Sequence, residues 1–411
     1  MLHKRNQRNL ALSTAIAVLF IFLTVFTLAH FSAAGAAMGT AYDLHRHKPP
    51  IHRTATPRPR KTPTPIPTPP PTPTPVPGIT PTATTLPAPT PPGTGGTVQV
   101  FVEPAAGEQV ILNAINNAHQ SIWLEMYLLT DTNIIQALEN AAGRHLDERV
   151  MLEPHPFGGG SPQSTLDALK AAGASVEDTS PSFALTHEKG MIVDGTTAYI
   201  MTSNFTYSAL NGKNREYGII DTVPQDVQGT IDIFNADWNR SSVQVTDPNL
   251  IVSPVNARGD LTTLINGAQH TLIIEAEEML DTGSEQASAD AARRGVQVQV
   301  ILPTPQKQPD PNSSGIATIK AAGVQVKEDP QLIMHAKMIV VDGTKGFVGS
   351  ENFSSNSLDK NRELGLLLTD QQVLSTLQQT FQQDWSVSQS QIECVQLAGQ
   401  GAVCSPVDTT Y

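Results

Sequence analysis

At 411 residues the chain is long enough for two or three domains, yet 18 of its 32 prolines fall between residues 49 and 92, a density that no packed core contains. Its 38 acidic against 26 basic residues give a formal charge of −12, and beyond residue 97 the imbalance steepens to 37 acidic against 17 basic. Such a body lacks the basic face of a protein built to grip a long polyanion, so nucleic acid is disfavoured as a partner, although a local positive groove is compatible with it.

Residues 1–9 carry Lys4, Arg5 and Arg8, and Leu10 to Ala29 follow without a charge. About 20 apolar residues cross a bilayer core of ~30 Å, and the basic flank keeps a short N-terminus cytoplasmic. Residues 10–30 therefore read as a transmembrane anchor or a signal peptide, with Ala34-Gly35-Ala36 as the cleavage site in the second case. Either way the rest is exported, to the outer side of the cell membrane or beyond it. Residues 31–97, rich in Pro and Thr, read as a stalk; its core of about 45 residues, extended at ~3.1 Å each, reaches on the order of 140 Å.

From residue 98 strands alternate with helices. "TVQVFVEP", "SIWLEMYLL" and "RVMLEP" have strand character, and "EQVILNAINNAHQ" and "IIQALENAAGR" have helical spacing. The loop "PHPFGGGSPQS" has no Lys-Ser or Lys-Thr behind its glycines, so it predicts a rim that shapes substrate choice, with His155 at its start, and not a nucleotide cradle. A "KAAG" helix end, a short strand, a hairpin and a helix ending at Asp237-Trp238 complete the unit. The same order returns from residue 246 and ends at Asp384-Trp385. His187, Lys189 and Asp194 recur 148 residues later as His335, Lys337 and Asp342; Asn214-Arg215-Glu216 recurs at an offset of 147, and Glu125 recurs as Glu275 at 150. A common offset over this length is an internal duplication. It predicts two α/β lobes, residues 98–245 and 246–388, each an α-β-α sandwich with a mixed sheet, related by a pseudo-two-fold axis with the site between them. The tail, residues 389–411, holds Cys394 and Cys404, whose proximity in an exported chain predicts a disulfide. The protein is expected to be monomeric.

The hairpins carry the chemistry. In "MHAKMIVVDGTKGFVGSENF", His335 and Lys337 lie two apart at the head of an apolar run and so share a strand face, while Asp342-Gly343 makes the turn. One imidazole can attack phosphorus and an adjacent ammonium can neutralise the phosphoryl oxygens. A second imidazole, from the other copy, supplies the acid for the leaving alcohol and later activates the water that clears the intermediate. Two lysines already provide positive charge, so the scheme calls for no metal or other cofactor. Glu125 and Glu275, acids inside apolar strands, fit either a structural role or the cleft wall. Trp238 and Trp385 fit packing at the ends of equivalent helices.

His187-x-Lys189 with Asp194, and His335-x-Lys337 with Asp342, resemble the paired HxKxxxxD motifs of the phospholipase D superfamily. Gly349-Ser350-x-Asn352 fits the family's G-S-x-N continuation, and Met201-Thr202-Ser203-Asn204 departs from it by Met for Gly and Thr for Ser. The resemblance covers residues 98 to 388. It implies His187 as nucleophile, His335 as general acid and base, and Lys189, Lys337, Asn204 and Asn352 on the phosphate. It also implies Glu216 and Glu363 on the far ring nitrogens of the histidines, Thr202 and Ser350 supporting them, and Asp194 and Asp342 holding the turns. The expected activity is hydrolysis of a phospholipid headgroup ester through a phosphohistidine. The runner-up is a nuclease of the same superfamily, followed by a cardiolipin synthase-like transfer to an alcohol, with a non-enzymatic surface module last.

Overall fold

The computed structural model describes residues 95–157, 162–306, 309–390, 392–397 and 401–406, and the predicted anchor and nearly all of the predicted stalk lie outside them. Among the described residues no helix is long and apolar enough to cross a membrane. In the first lobe β1 (Val98–Glu103), α1 (Gln109–Asn116), β2 (Ser121–Met126), α2 (Thr132–Ala142), β3 (Asp147–Leu152), α3 (Gln163–Ala172) and β4 (Ser175–Asp178) precede the hairpin strands β5 (Lys189–Val193) and β6 (Thr197–Met201). The one-turn helix α4 (Tyr207–Leu210), β7 (Asn214–Asp221) and α5 (Pro224–Trp238) close it. The second lobe repeats this order with β8 (Leu250–Ser253), α6 (Ala257–Asn266), β9 (Thr271–Ala276), α7 (Thr282–Arg293), β10 (Gln297–Pro303), α8 (Ser313–Lys320) and β11 (Gln325–Asp329). Then come β12 (Ile333–Met334), the hairpin strands β13 (Lys337–Val341) and β14 (Lys345–Gly349), α9 (Ser355–Asp359), β15 (Glu363–Leu368) and α10 (Gln371–Val387).

Local chemistry sets these boundaries. Asp131, Asp281 and Asp370 each stand in extended backbone before α2, α7 and α10 and accept hydrogen bonds from first-turn amides, satisfying donors that a helix start leaves free. The hairpin strands β5 (KGMIV) and β13 (KMIVV) are buried at every residue, so they read as continuous apolar runs without the alternation of a one-sided strand.

The two sheets have matching orders, β1-β7-β6-β5-β2-β3-β4 and β8-β15-β14-β13-β9-β10-β11. In each, three strands run parallel and the remainder antiparallel. One face of the first sheet packs on its helices around Ile111, Leu124, Leu138 and Leu169, and the second sheet does likewise around Leu261, Ile274, Leu302 and Ile319. The opposite faces share a third core, in which Ile200, Tyr217 and Ile219 meet Met338, Val348, Leu366 and Phe381. Each such fully buried side chain is worth about 1.5–3 kcal/mol, more than a surface ion pair, so the shared apolar core is what fixes the lobes on one another.

Backbone is also exchanged between the lobes. The short strand β12 leaves the second lobe and pairs in parallel with β7, Ile333 with Asn214 and Met334 with Arg215. In the other direction Thr186 bridges to Arg362. Beyond α10 the strand β16 (Gln389–Ser390) pairs antiparallel with β11, so the second sheet runs two residues into what the sequence reads as tail. The strands β17 (Ile392–Leu397) and β18 (Gly401–Pro406) form a separate hairpin with Cys394 opposite Cys404. The predicted disulfide between them concerns side chains outside the described residues.

Candidate active site

His187 and His335 stand in the short segments that cross between lobes, just ahead of β5 and β13. The His187 amide donates to Arg362 O at 2.8 Å and the His335 amide to Arg215 O at 3.3 Å, so each histidine leans on the other lobe's strand. Their rings are exchanged in the same way. Nδ1 of His187 lies 2.9 Å from Glu363, and Nδ1 of His335 lies 2.8 Å from Glu216. Both glutamates are fully buried. Burial alone would raise their pKa values, but the facing histidine and lysine hold both below the ordinary carboxylate range.

Further donors fix those carboxylates. Thr202 Oγ1 donates to Glu216 at 2.6 Å and Asn214 Nδ2 at 3.1 Å. On the other side Asn361 Nδ2 donates to Glu363 at 3.1 Å, but the hydroxyl at 2.6 Å belongs to Ser357. Ser350 differs from its predicted role here: its Oγ accepts from Leu364 N at 3.0 Å. The exchange has a simple reason. Ser357, on α9, matches Ala209 on α4, so only the second lobe has a hydroxyl there, and only Thr202 takes on both the strand amide and the carboxylate.

Lys189 and Lys337 are almost completely buried. Instead of projecting freely beside their histidines, they turn back, donating to His187 O at 2.6 Å and His335 O at 2.7 Å. Burial pushes Lys189 down to about 7; Glu363 opposes the shift and Lys337 adds to it. Burial likewise lowers His187, against the pull of Glu363. Asn204 and Asn352 follow β6 and β14, and the Oδ1 of each is buried without a hydrogen-bond partner. Asp194 and Asp342 lie away from this group. Each has positive φ in its turn and accepts from three successive backbone amides, His119 to Ser121 and Gln269 to Thr271, which pins the hairpin to the head of β2 or β9.

Sequence reading missed four features of the site. Arg215 pairs with Asp384 at 2.5 Å and Arg362 with Asp237 at 2.7 Å, so the repeated Asn-Arg-Glu and Asp-Trp pieces are partners across the lobes. Glu277 lies 3.3 Å from His335 Nε2 and 2.8 Å from Lys337 Nζ; burial would raise its carboxyl, but His335 and then Lys337 hold it far below the usual range. The matching position is Tyr127, whose ring meets His187 edge-on with centroids 4.7 Å apart. Tyr127 and Glu277 were findable as an unlike pair at matched positions in otherwise similar strand ends. Trp238 and Trp385 stack on Phe234 and Phe381, and His155 is exposed on its loop.

Behind the site the two halves also diverge. Glu275 is fully buried and accepts from Tyr217 OH at 2.6 Å. Glu125 is fully buried with both carboxyl oxygens unpartnered, and its carboxylate lies with those of Glu188 and Asp237 within 4.8 Å, a set whose geometry could hold a cation or share protons. Burial, then the neighbouring Asp237, pushes Glu188 up to about 8. Both Glu125 and Glu275 are closed off from solvent.

A family model described as cardiolipin synthase, phospholipase D-like domain, matches residues 111–238 and 261–385, which include both motif copies. Among curated proteins, a cardiolipin synthase of Oceanobacillus iheyensis is 24% identical over 330 residues, spanning 70% of this chain and 68% of that protein. Among solved structures, a phosphatidylserine synthase from Haemophilus influenzae superposes with a TM-score of 0.55 at 15% identity, covering 71% of this chain and 87% of that one. A polyphosphate kinase from Porphyromonas gingivalis gives 0.56 at 14% identity, covering 70% and 50%. At such identities the structural likeness speaks to the fold alone. The chain spans about two thirds of the length of the curated relatives it matches.

Proposed function

Because the chain belongs to the phospholipase D superfamily, we propose that it is a phosphatidyltransferase, moving the phosphatidyl group of a phospholipid onto an alcohol through a phosphohistidine. The observation that carries this reading is the reciprocal pairing of His187 with Glu363 and His335 with Glu216, with a buried lysine beside each. Hydrolysis, the activity expected from sequence, uses the same machinery with water as acceptor. The curated relatives carry the name of transferases, and that moves the reading toward an alcohol.

The geometry supports distinct roles for the two rings. His187 meets a carboxylate only at Nδ1 among the described residues, and its lowered pKa leaves Nε2 with a free lone pair. His335 has carboxylates at both nitrogens, a setting for a ring that carries a proton to give away. Nε2 of His187 attacks phosphorus, the bond from phosphorus to the headgroup oxygen breaks, and His335 gives that oxygen its proton. An acceptor alcohol then attacks phosphorus, His335 takes the alcohol proton, and the bond to His187 breaks. Lys189, Lys337, Asn204 and Asn352 hold the non-bridging oxygens as charge develops on them. Glu216 and Glu363 fix the ring orientation.

The test incubates the full chain with labelled phosphatidylglycerol in mixed micelles containing an alcohol. Transfer product should exceed phosphatidic acid, and a denaturing quench at alkaline pH, where the phosphorus–nitrogen bond survives, should trap labelled phosphate on His187. Phosphatidic acid alone would return the reading to a hydrolase, and cleavage of single-stranded DNA without lipid turnover would overturn both.

A further inference from the structure

Behind His187 lies a buried acid with no part in the steps above. Glu351 follows β14 in the second motif copy, is closed off from solvent, and neither of its carboxyl oxygens has a hydrogen-bond partner among the described residues. A carboxyl withdrawn from water without compensation is costly, so its presence calls for a reason.

The fold makes room for this side chain in one lobe only. Gly349 pairs with Gly365, and a Cβ built on either would collide with Glu351 Oε2, at 2.8 Å in the second case. Gly365 stands two residues along β15 from Glu363 and so on the same strand face, which puts the Glu351 carboxyl beside the Glu363 side chain. At the positions of Gly349 and Glu351 the first lobe has Met201 and Ser203, the large residue and the small one in reverse order. A methionine at 349 would fall on the Glu351 carboxyl. The second lobe thus has a built niche for an acid behind Glu363, which holds His187, and the first has no acid at that place behind Glu216, which holds His335.

The charged groups that face Glu351 are Glu363 on β15 and Glu188 just ahead of β5, both acids. From α9 comes Ser357, a neutral hydroxyl that already donates to Glu363 at 2.6 Å. Of two neighbouring carboxyls, Glu363 has His187 at 2.9 Å to stabilise its ionised form, so the proton falls to Glu351. Burial and then the Glu363 charge push the Glu351 carboxyl well above its ordinary range, against the pull of its own backbone amide and that of Ser350.

We propose that Glu351 is a positioning residue for His187, a neutral carboxyl that acts through Glu363 and weakens that carboxylate as a base, so that the imidazole stays uncharged and its Nε2 lone pair stays free. The inference rests on His187 as the nucleophile of the proposed reaction. A carboxylate offered a further donor is a weaker base, and a weaker base at Nδ1 makes the imidazolium less favourable. His335 has the opposite need, to carry a proton, and has Glu277 at its other nitrogen.

Glu351→Gln and Glu351→Met give the test: both are uncharged and close to glutamate in bulk, and only the glutamine keeps a donor. Nitrogen NMR of the histidine-labelled full chain in micelles, without substrate, reads the His187 titration, and His187→Asn assigns the signal. Glu351→Met should raise the His187 pKa by about one unit, a tenfold gain in proton affinity, and carry the acid limb of kcat/KM upward with it. Glu351→Gln should leave the titration in place. A His187 pKa unmoved in Glu351→Met, even with kcat lowered, marks Glu351 as merely structural and overturns the inference. An equal rise in both variants does the same, as does a fall in Glu351→Gln, which would mean an ionised wild-type carboxyl. Because the titration needs no turnover, a rise confined to Glu351→Met upholds the action on His187 even where no lipid is transferred and the proposed reaction falls.

Discussion

The two lobes share strand order, hairpin and exchanged histidine contacts, yet they are unlike where the symmetry axis brings them nearest to substrate. Tyr127 packs on His187 where Glu277 binds His335 and Lys337. Glu188 stands where the second lobe has Ala336, and Leu364 where the first has Tyr217. These last two changes offset each other in bulk: Glu with Leu on one side of the interface, Ala with Tyr on the other. The scaffold of the duplication is retained while its two reaction faces have specialised, one neutral and apolar, the other acidic.

Substitutions can break this asymmetry in order of severity. His187→Asn should abolish both turnover and trapped phosphate, a loss of at least about 10³-fold. His335→Asn should slow turnover on a similar scale yet still permit slow labelling of His187, most visibly with a good leaving group. Labelling of His335 in the first variant would reverse the assigned roles. Next come the ties across the lobes. Arg215→Met and Arg362→Met leave Asp384 or Asp237 as a buried, unpaired carboxylate, and each should cost about 3–5 kcal/mol in chemical denaturation. Equal costs would show that the scaffold is still symmetric.

Smaller effects come from protons. Lys189 carries its charge below about pH 7 and loses it as pH rises, so kcat/KM should fall on the alkaline side, approaching tenfold per pH unit. Arginine stays charged throughout, so Lys189→Arg should move that limb upward whatever its effect on amplitude. For Glu188 the raised pKa means that the folded state keeps a proton which the unfolded chain gives up near 4.5. Stability contributed below that value is therefore lost progressively as pH rises toward about 8. Thermal melts of Glu188→Gln should lack this slope, opening a gap on the order of 1 kcal/mol per pH unit over that window.

Much of this organisation was legible in the sequence. The duplication exposed both motifs, and strand and helix periodicity gave the mixed α/β lobes because those signals are local. Cross-lobe partners were not legible: nothing in the spacing of Asn214-Arg215-Glu216 says that its arginine meets Asp384 on α10 and its glutamate meets His335 just past β12, since both partners belong to the other lobe. Glu277 escaped for a different reason. Aligning the repeats rewards identity, and the informative positions here are those where aligned strand ends disagree. Ser357 displaced Ser350 because a one-turn helix brings a hydroxyl to the carboxylate from five residues past Asn352, a reach that the motif spacing does not encode.

The backbone exchange at β12 and Thr186 has an implication for how such a molecule arose. Since each imidazole is seated by the opposite half, a single ancestral unit would have been catalytically empty alone and competent only as a pair of identical copies. The segment from residue 239 to 249 then acts as a tether that makes the pairing intramolecular, freeing the halves to drift apart in sequence. Severed within that tether and mixed, the two fragments should reassemble by complementation, each remaining silent without the other.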